Sequence, residues 1–299
     1  MKKLSLIGLL FLSVSAFATV DFGSPELTTT QPGSGAGANA SKDPGKGWLG
    51  AITLGHYNIR GVNANGQDHS SDKYTSLDLV LPHLSYYTDT RILGGRYSFG
   101  ITGVIGGVHK GNEEVGVGMS GSPWLHPIRL NWTVGNDLYV VAGYSMRFGL
   151  KSSRMSIDKA YDMHTLNAGV TYDINERWQV NGALQYEHRT ATTRNGHRWQ
   201  AGDIGYVEGS LIRKFDNGMT LGGYVYHIGH LNRDRGVQYD GANYLLMGRY
   251  GSHVSALGME FTTPIEAINS SLSLRVHEEV GPKNHSYGTR GFLTLSHKF

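Results

Sequence analysis

GFLTLSHKF, residues 291–299, closes the sequence. Leu293, Leu295, His297 and Phe299 share one parity, and Phe292, Thr294, Ser296 and Lys298 share the other. A period of two sends successive side chains to opposite faces of a strand. An alternating strand running to the last residue leaves an open row of N–H and C=O groups unless it finds a neighbour. Pairing the last strand with the first removes that edge, and in lipid such closure is obligatory. The terminal aromatic also resembles the signal read by outer-membrane assembly machinery, which would make Phe299 the contact with that partner.

Working outward, period-two segments reach back to Trp48 and predict about twelve strands. They lie near 48–57, 74–88, 91–106, 123–134, 137–149, 162–173, 177–189, 203–215, 219–229, 250–262, 268–279 and 289–299. Short turns follow the even strands, at Thr88-Asp89-Thr90, Gly135-Asn136, 173–176, 216–218 and 263–266. Asn, Asp and Gly tolerate the positive φ angles of tight hairpins. Longer polar stretches follow the odd strands, at 58–73, 107–122, 150–161, 190–202, 230–249 and 280–288. Short turns at one end and long loops at the other are the asymmetry of a bacterial outer-membrane barrel, not of a soluble sandwich. The expected fold is an all-β, transmembrane antiparallel β-barrel of about twelve strands. It has short periplasmic turns, long outer loops and, with an even strand number, both termini in the periplasm.

The faces agree. Trp178, Val180, Leu184 and Tyr186 alternate with Gln179, Asn181, Gln185 and Glu187; Leu272, Leu274 and Val276 oppose Ser273, Arg275 and His277. Trp132 and Trp178 by the short turns, and Tyr57 and Tyr144 toward the loops, suit interfacial girdles.

The start of the chain points to export. MKKLSLIGLLFLSVSAFA, residues 1–18, has Lys2 and Lys3, an apolar run and Ala16-Phe17-Ala18, the three parts of a secretory signal cut after Ala18. Its loss lowers the formal net charge from +3 by two, and nothing implies a nucleic-acid partner. Residues 19–47 are rich in Gly, Ser, Thr, Pro and Ala and cannot build a core. They form an arm that either plugs the lumen or hangs disordered, with the barrel at 48–299. There is no cysteine, which excludes disulfides, thiolate metal sites and Cys nucleophiles. No metal or cofactor is expected, because the fourteen His show no ligand spacing.

Several stretches resemble one family: LPHLSYYTDTRILGGRYSFG (81–100), IRLNWTVGNDLYVVAGYSMRFG (128–149), HTLNAGVTYDINERWQVNGALQYE (164–187), GDIGYVEGSLIRKFDNGMTLGGYVYH (202–227) and the end from Leu272. It is the outer-membrane transporter family named for a phenol-degradation (MetA) pathway. GGR at 94–96, LNW at 130–132 and the closing strand carry the likeness most. The resemblance implies passage of hydrophobic or aromatic compounds and brings no catalytic residues.

Inward parity selects Asp78, Arg96, Arg129, Arg147, Glu187, Tyr206, Glu208, Glu260, Arg275 and His277 as lumen-lining. Such a set either selects solutes at a polar constriction or fills the tube with ion pairs. A competing set lies on the lipid face: His253 and Ser255, with Glu278 placed opposite His253 by register. A hydroxyl, a base and an orienting acid would make an outer-leaflet lipid hydrolase. The reading that best fits the whole is not an enzyme but a passive channel for small, hydrophobic or aromatic solutes, in contact with membrane lipid and lipopolysaccharide. A surface adhesin using the long loops is the third possibility.

Overall fold

The computed structural model describes residues 41–64, 67–110, 113–119, 122–149, 161–194, 197–233, 235 and 252–299. The expected signal and residues 19–40 of the arm lie outside the described residues, as do 150–160 and 236–251. In the first half of the chain the strands are β1 (Gly47–Ala64), β2 (Gln67–Ile92), β3 (Gly95–Thr102), β4 (Ile105–Lys110), β5 (Glu113–Met119), β6 (Trp124–Val134), β7 (Leu138–Arg147) and β8 (Met163–Asp173). The second half adds β9 (Trp178–Arg189), β10 (Thr192–Arg194), β11 (His197–Trp199), β12 (Ile204–Lys214), β13 (Thr220–His230), β14 (His253–Ile265), β15 (Ser270–Lys283) and β16 (Ser286–Lys298). Among the described residues the one helical element in that order is the 3-10 turn Glu266–Ile268.

Twelve strands close antiparallel, in the order β1-β2-β3-β6-β7-β8-β9-β12-β13-β14-β15-β16 and back to β1. The closing strand pairs as its alternation requires: Leu49 faces Lys298, Leu54 faces Leu293 and Val62 faces Ser286. Phe299 N–H donates to the Trp48 carbonyl at 3.0 Å. The remaining strands form hairpins. β4 continues the wall beside β2, opposite Thr75–Val80, and carries β5; β10 pairs with β11. The stretch 107–122 expected as loop is therefore in large part the β4–β5 hairpin.

The outward face is apolar. Leu184, Leu257 and Met259 are about 60% exposed, and Ile52, Leu166, Val225, Leu274 and Leu295 share the belt. In water such a surface would be a liability; a bilayer covers it. The inward face mixes polar residues, among them buried Gln179, Asn181, Thr171, Ser98 and Ser145, with apolar clusters around Leu79 and around Ile228 and Val254.

Two turns differ from expectation. Thr88-Asp89-Thr90 is an irregularity within β2, across which the register against β3 shifts between Tyr87 and Arg91. The reversal is Leu93-Gly94, with φ of +50° and +81°, the signs a type I′ hairpin needs at both central positions. Gly95 follows, where a Cβ would come within 2.6 Å of the Trp132 ring. Trp132 Nε1 donates to the Leu93 carbonyl at 2.8 Å, so GGR and LNW form one contact at the turn end. The β14–β15 reversal comes later than expected, at Glu266–Asn269, with Asn269 at φ +48°.

Candidate functional site: the barrel lumen

One side of the lumen wall, from β9 round to β16, is built of ion pairs. Glu187 accepts from Arg189 Nε at 2.9 Å, with both side chains fully buried. Glu260 and Arg275, directly opposed on β14 and β15, meet at 2.7 Å. Glu279 is the most connected. It accepts from Tyr57 OH at 2.7 Å, Tyr226 OH at 2.9 Å and Gly288 N–H at 3.1 Å, and pairs with Arg290 at 3.0 Å. The Arg290 guanidinium lies 3.8 Å from the Tyr57 ring centroid. Buried carboxylates persist only with such partners.

Tyr226 has a single hydroxyl proton. If it goes to Glu279, the oxygen accepts from His277 Nε2 at 3.1 Å, and His277 Nδ1 accepts from Tyr224 OH at 2.7 Å. These tyrosines on β13 reach β15 across β14 because β14 presents Ala256 and Gly258 inward. A Cβ at Gly258 would stand 2.5 Å from Tyr224 Cζ and 2.7 Å from His277 Cβ. On β12, Tyr206 OH donates to Glu208.

The other side, β2 to β7, is built of hydroxyls and imidazoles. His83 Nδ1 and His126 Nε2 each lie 2.8 Å from Thr102 Oγ1, and His126 Nδ1 lies 2.7 Å from Ser145 Oγ. One row thus crosses four neighbouring strands. A hydroxyl has one proton, so Thr102 donates to one histidine and accepts from the other. Below it, Arg129 Nε approaches Asn131 Oδ1 at 3.4 Å. A lumen cavity of about 360 Å³ lies here, bordered by His83, His126, Arg129, Trp124, Leu81 and, from the ion-paired side, Arg275.

The turn end of the tube is crossed by residues 41–46, which lead into β1. Asp43 accepts from Arg96 Nε at 2.6 Å, Lys42 meets Asp173 at 2.7 Å, and the Ser41 carbonyl accepts from Asn131 Nδ2 at 3.0 Å. Ser41 is buried against the inward side of Gly169. Arg96 and Asn131, from the GGR and LNW motifs, therefore both hold this segment.

The sequence-selected lumen residues are placed as follows. Arg96, Arg129, Arg147, Glu187, Tyr206, Glu208, Glu260, Arg275 and His277 have inward parity, and Arg147 Nε donates to the Ser122 carbonyl at 3.1 Å. Asp78 does not. It is outward and half exposed, between His56 Nδ1 at 2.7 Å and His109 Nε2 at 3.0 Å. The reason is Leu77, Leu79 and Leu81, which are buried inside with Tyr57, Val104 and Trp124. An apolar lumen patch reverses the parity that Asp78 suggests. Tyr57 is likewise inside, not in a girdle. The selection left out Glu279 and Arg290, though they share the inward parity of Arg275 and Phe292, and the His83–Thr102–His126–Ser145 row, whose members stand on adjacent strands and meet only through register.

The lipid-face set is not assembled as predicted. Glu278 stands opposite Leu257, and His253 stands opposite Lys283, with a register shift between His253 and Ser255. Glu278 accepts from Thr289 and pairs with Arg60. Ser255 Oγ instead meets His227 Nδ1 at 2.9 Å, so Ser255, His253 and Glu278 do not form one hydrogen-bonded unit.

No family model matches the sequence, and no curated protein matches it. Solved structures match by shape. The COG4313 outer membrane channel from Pseudomonas putida F1 superposes with a TM-score of 0.71 at 12% identity, covering 88% of this chain and 98% of that one. The transport unit of the autotransporter AIDA-I from Escherichia coli gives 0.51 at 12% identity, covering 86% and 92%. The translocator domain of the autotransporter NalP from Neisseria meningitidis gives 0.50 at 10%, covering 87% and 91%. Closure, strand number and these likenesses together make the fold that of a twelve-stranded outer-membrane β-barrel.

Proposed function

We propose that this protein is an outer-membrane channel that passes small solutes passively through its lumen, with both termini in the periplasm. The observation that carries it is the cavity of about 360 Å³ inside a closed barrel, bordered by both polar and apolar side chains. Eight-stranded barrels are filled by side chains and sixteen-stranded ones leave an open channel; twelve strands fall between. The resemblance of the sequence to a transporter family of hydrophobic and aromatic compounds, and the channel among the structural neighbours, support the same reading. Fold likeness alone does not fix function, so the lumen chemistry has to carry it.

Residues 41–46 belong to this reading as a gate, with the Arg96–Asp43 and Lys42–Asp173 pairs as the clasp that holds them across the turn end. The test is conductance of the purified protein in planar bilayers, compared with a variant lacking 19–46. Discrete steps that grow on deletion are expected. Steps of equal size in both would remove the gate, and no steps in either would remove the channel.

A further inference from the structure

We infer that His83 presents its Nε2–H to the lumen cavity as the donor of a solute subsite, one that takes an uncharged solute through an accepting oxygen such as a carbonyl; this rests on the channel reading above. The row that ends at His83 fixes which ring nitrogens carry protons where both imidazoles are neutral. Ser145 Oγ is in a residue 5% exposed, and its one hydrogen-bond partner among the described residues is His126 Nδ1, at 2.7 Å. A buried hydroxyl proton left unmet is costly, so Ser145 donates and His126 Nδ1 accepts. His126 then carries its proton on Nε2, which donates to Thr102 Oγ1 at 2.8 Å. The one proton of Thr102 goes to its remaining partner, His83 Nδ1, at 2.8 Å. Both histidines are therefore Nε2–H tautomers, and the row ends on the proton of His83 Nε2.

That nitrogen has no hydrogen-bond partner among the described residues. His83 is half-buried and borders the cavity, and its Nε2 keeps accessible surface, unlike the buried Trp124 Nε1. Nε2 is also the ring nitrogen farther from the backbone, so a ring tied to the wall through Nδ1 turns it inward. A row that served only to join β2, β3, β6 and β7 would need no donor at its inner end. No Asp or Glu is among the described residues that line the cavity, so no carboxylate there competes for the proton. Ala51 and Leu81 add apolar surface, and Thr53 and Thr294 direct their hydroxyls at each other, 2.9 Å apart. An oxygen on a small apolar body suits this lining. A volume of about 360 Å³ is at the small end of ligand sites, which span roughly 300–1,000 Å³.

The test uses cyclopentanone, which only accepts, and pyrrole, which only donates. Both are uncharged rings of similar size, so the charges of Arg129 and Arg275 at the cavity border do not enter the comparison. The full-length barrel carries isotope-labelled histidine in detergent micelles at mildly alkaline pH, and the His83 nitrogen signals are those missing from His83→Asn and His83→Gln. The wild-type ring should show a protonated Nε2 and a bare Nδ1. Cyclopentanone should shift the Nε2 signal to saturation where pyrrole does not. His83→Asn keeps a partner for Thr102 but is too short to reach the cavity. It should weaken cyclopentanone binding, read on the carbonyl carbon signal of the ketone, roughly threefold to tenfold, the loss of one neutral hydrogen bond. His83→Gln restores a donor at the reach of Nε2 and should recover most of that loss. Folding of each variant is checked by heat-modifiable gel mobility. If His83→Asn does not fold, His83→Gln supplies the assignment, and the wild-type tautomer and the two probes decide. A proton on His83 Nδ1, equal response to both probes, no response to either, or full affinity in His83→Asn overturns the inference and leaves the channel standing. A barrel that carries no current removes the channel reading, while the subsite still stands or falls on the two probes.

Discussion

The two sides of the lumen solve the same problem differently. From β9 to β16 Glu187, Glu260 and Glu279 each face an arginine, Glu208 accepts from Tyr206, and tyrosines cross-link the wall. From β2 to β7 the wall holds two histidines, hydroxyls, Arg96, Arg129, Arg147 and an apolar patch, and the Trp124 indole N–H has no acceptor among the described residues. The matched side reads as structure: each carboxylate has an arginine or a tyrosine, and Tyr224 and Tyr226 span a strand to reach His277. The other side links imidazoles and hydroxyls in one row beside a cavity. Mixed signs in a lumen therefore say little about selectivity until the pairing is known.

The sharpest way to break this contrast is on the matched side. Glu279→Gln removes the charge that faces Arg290 and weakens its acceptance from Tyr57, Tyr226 and Gly288. A buried cation without its partner costs about 3–5 kcal/mol. Urea unfolding in lipid vesicles should show a loss of that order, and a loss below about 1 kcal/mol would mean the pairs are not what holds this wall. Thr102→Val is the counterpart on the other side. It removes the link between His83 and His126 at nearly constant volume and should cost about 1–2 kcal/mol, two neutral hydrogen bonds. A loss below about 0.5 kcal/mol would show that the row does not hold this wall.

A smaller effect belongs to the rim at the loop end, opposite the short turns. Asp203 accepts from Asn232 Nδ2 at 2.7 Å and Tyr186 OH at 3.0 Å and meets His188 Nδ1 at 2.8 Å. Burial alone would push its carboxyl up. The bonds from Asn232, Tyr186 and His188 outweigh that and hold it below the usual carboxylate range. A depressed native pKa adds stability that is fully present above the unfolded value of about 4 and is lost as pH falls through the native value. Asp203→Asn should flatten the acid limb of thermal stability while leaving stability at pH 7 lower by about 1 kcal/mol. An unchanged acid limb would show that this rim cluster contributes nothing.

The barrel was legible because strand alternation is local. Trp178 to Glu187 sort into outside and inside by parity alone, and the structure keeps that sorting. Twelve strands and the short turns at one end followed from turn residues, although two turns moved by a few residues. Asp78 and Tyr57 show where the rule stops. Parity names two faces but not which one is wet, and Leu77, Leu79 and Leu81 put an apolar patch inside. Glu278 shows a second limit, since the late β14–β15 reversal at Glu266–Asn269 shifts the register and sets it opposite Leu257.

The sequence by itself determined strand number, closure and the faces of most strands, because these depend on residues one or two apart. Only the tertiary structure decided which charges meet, where the cavity lies and that residues 41–46 enter the tube. Those depend on register across strands, on bulges, and on small residues such as Gly258 that let a side chain pass over its neighbour. None of these has a periodic signature in one strand.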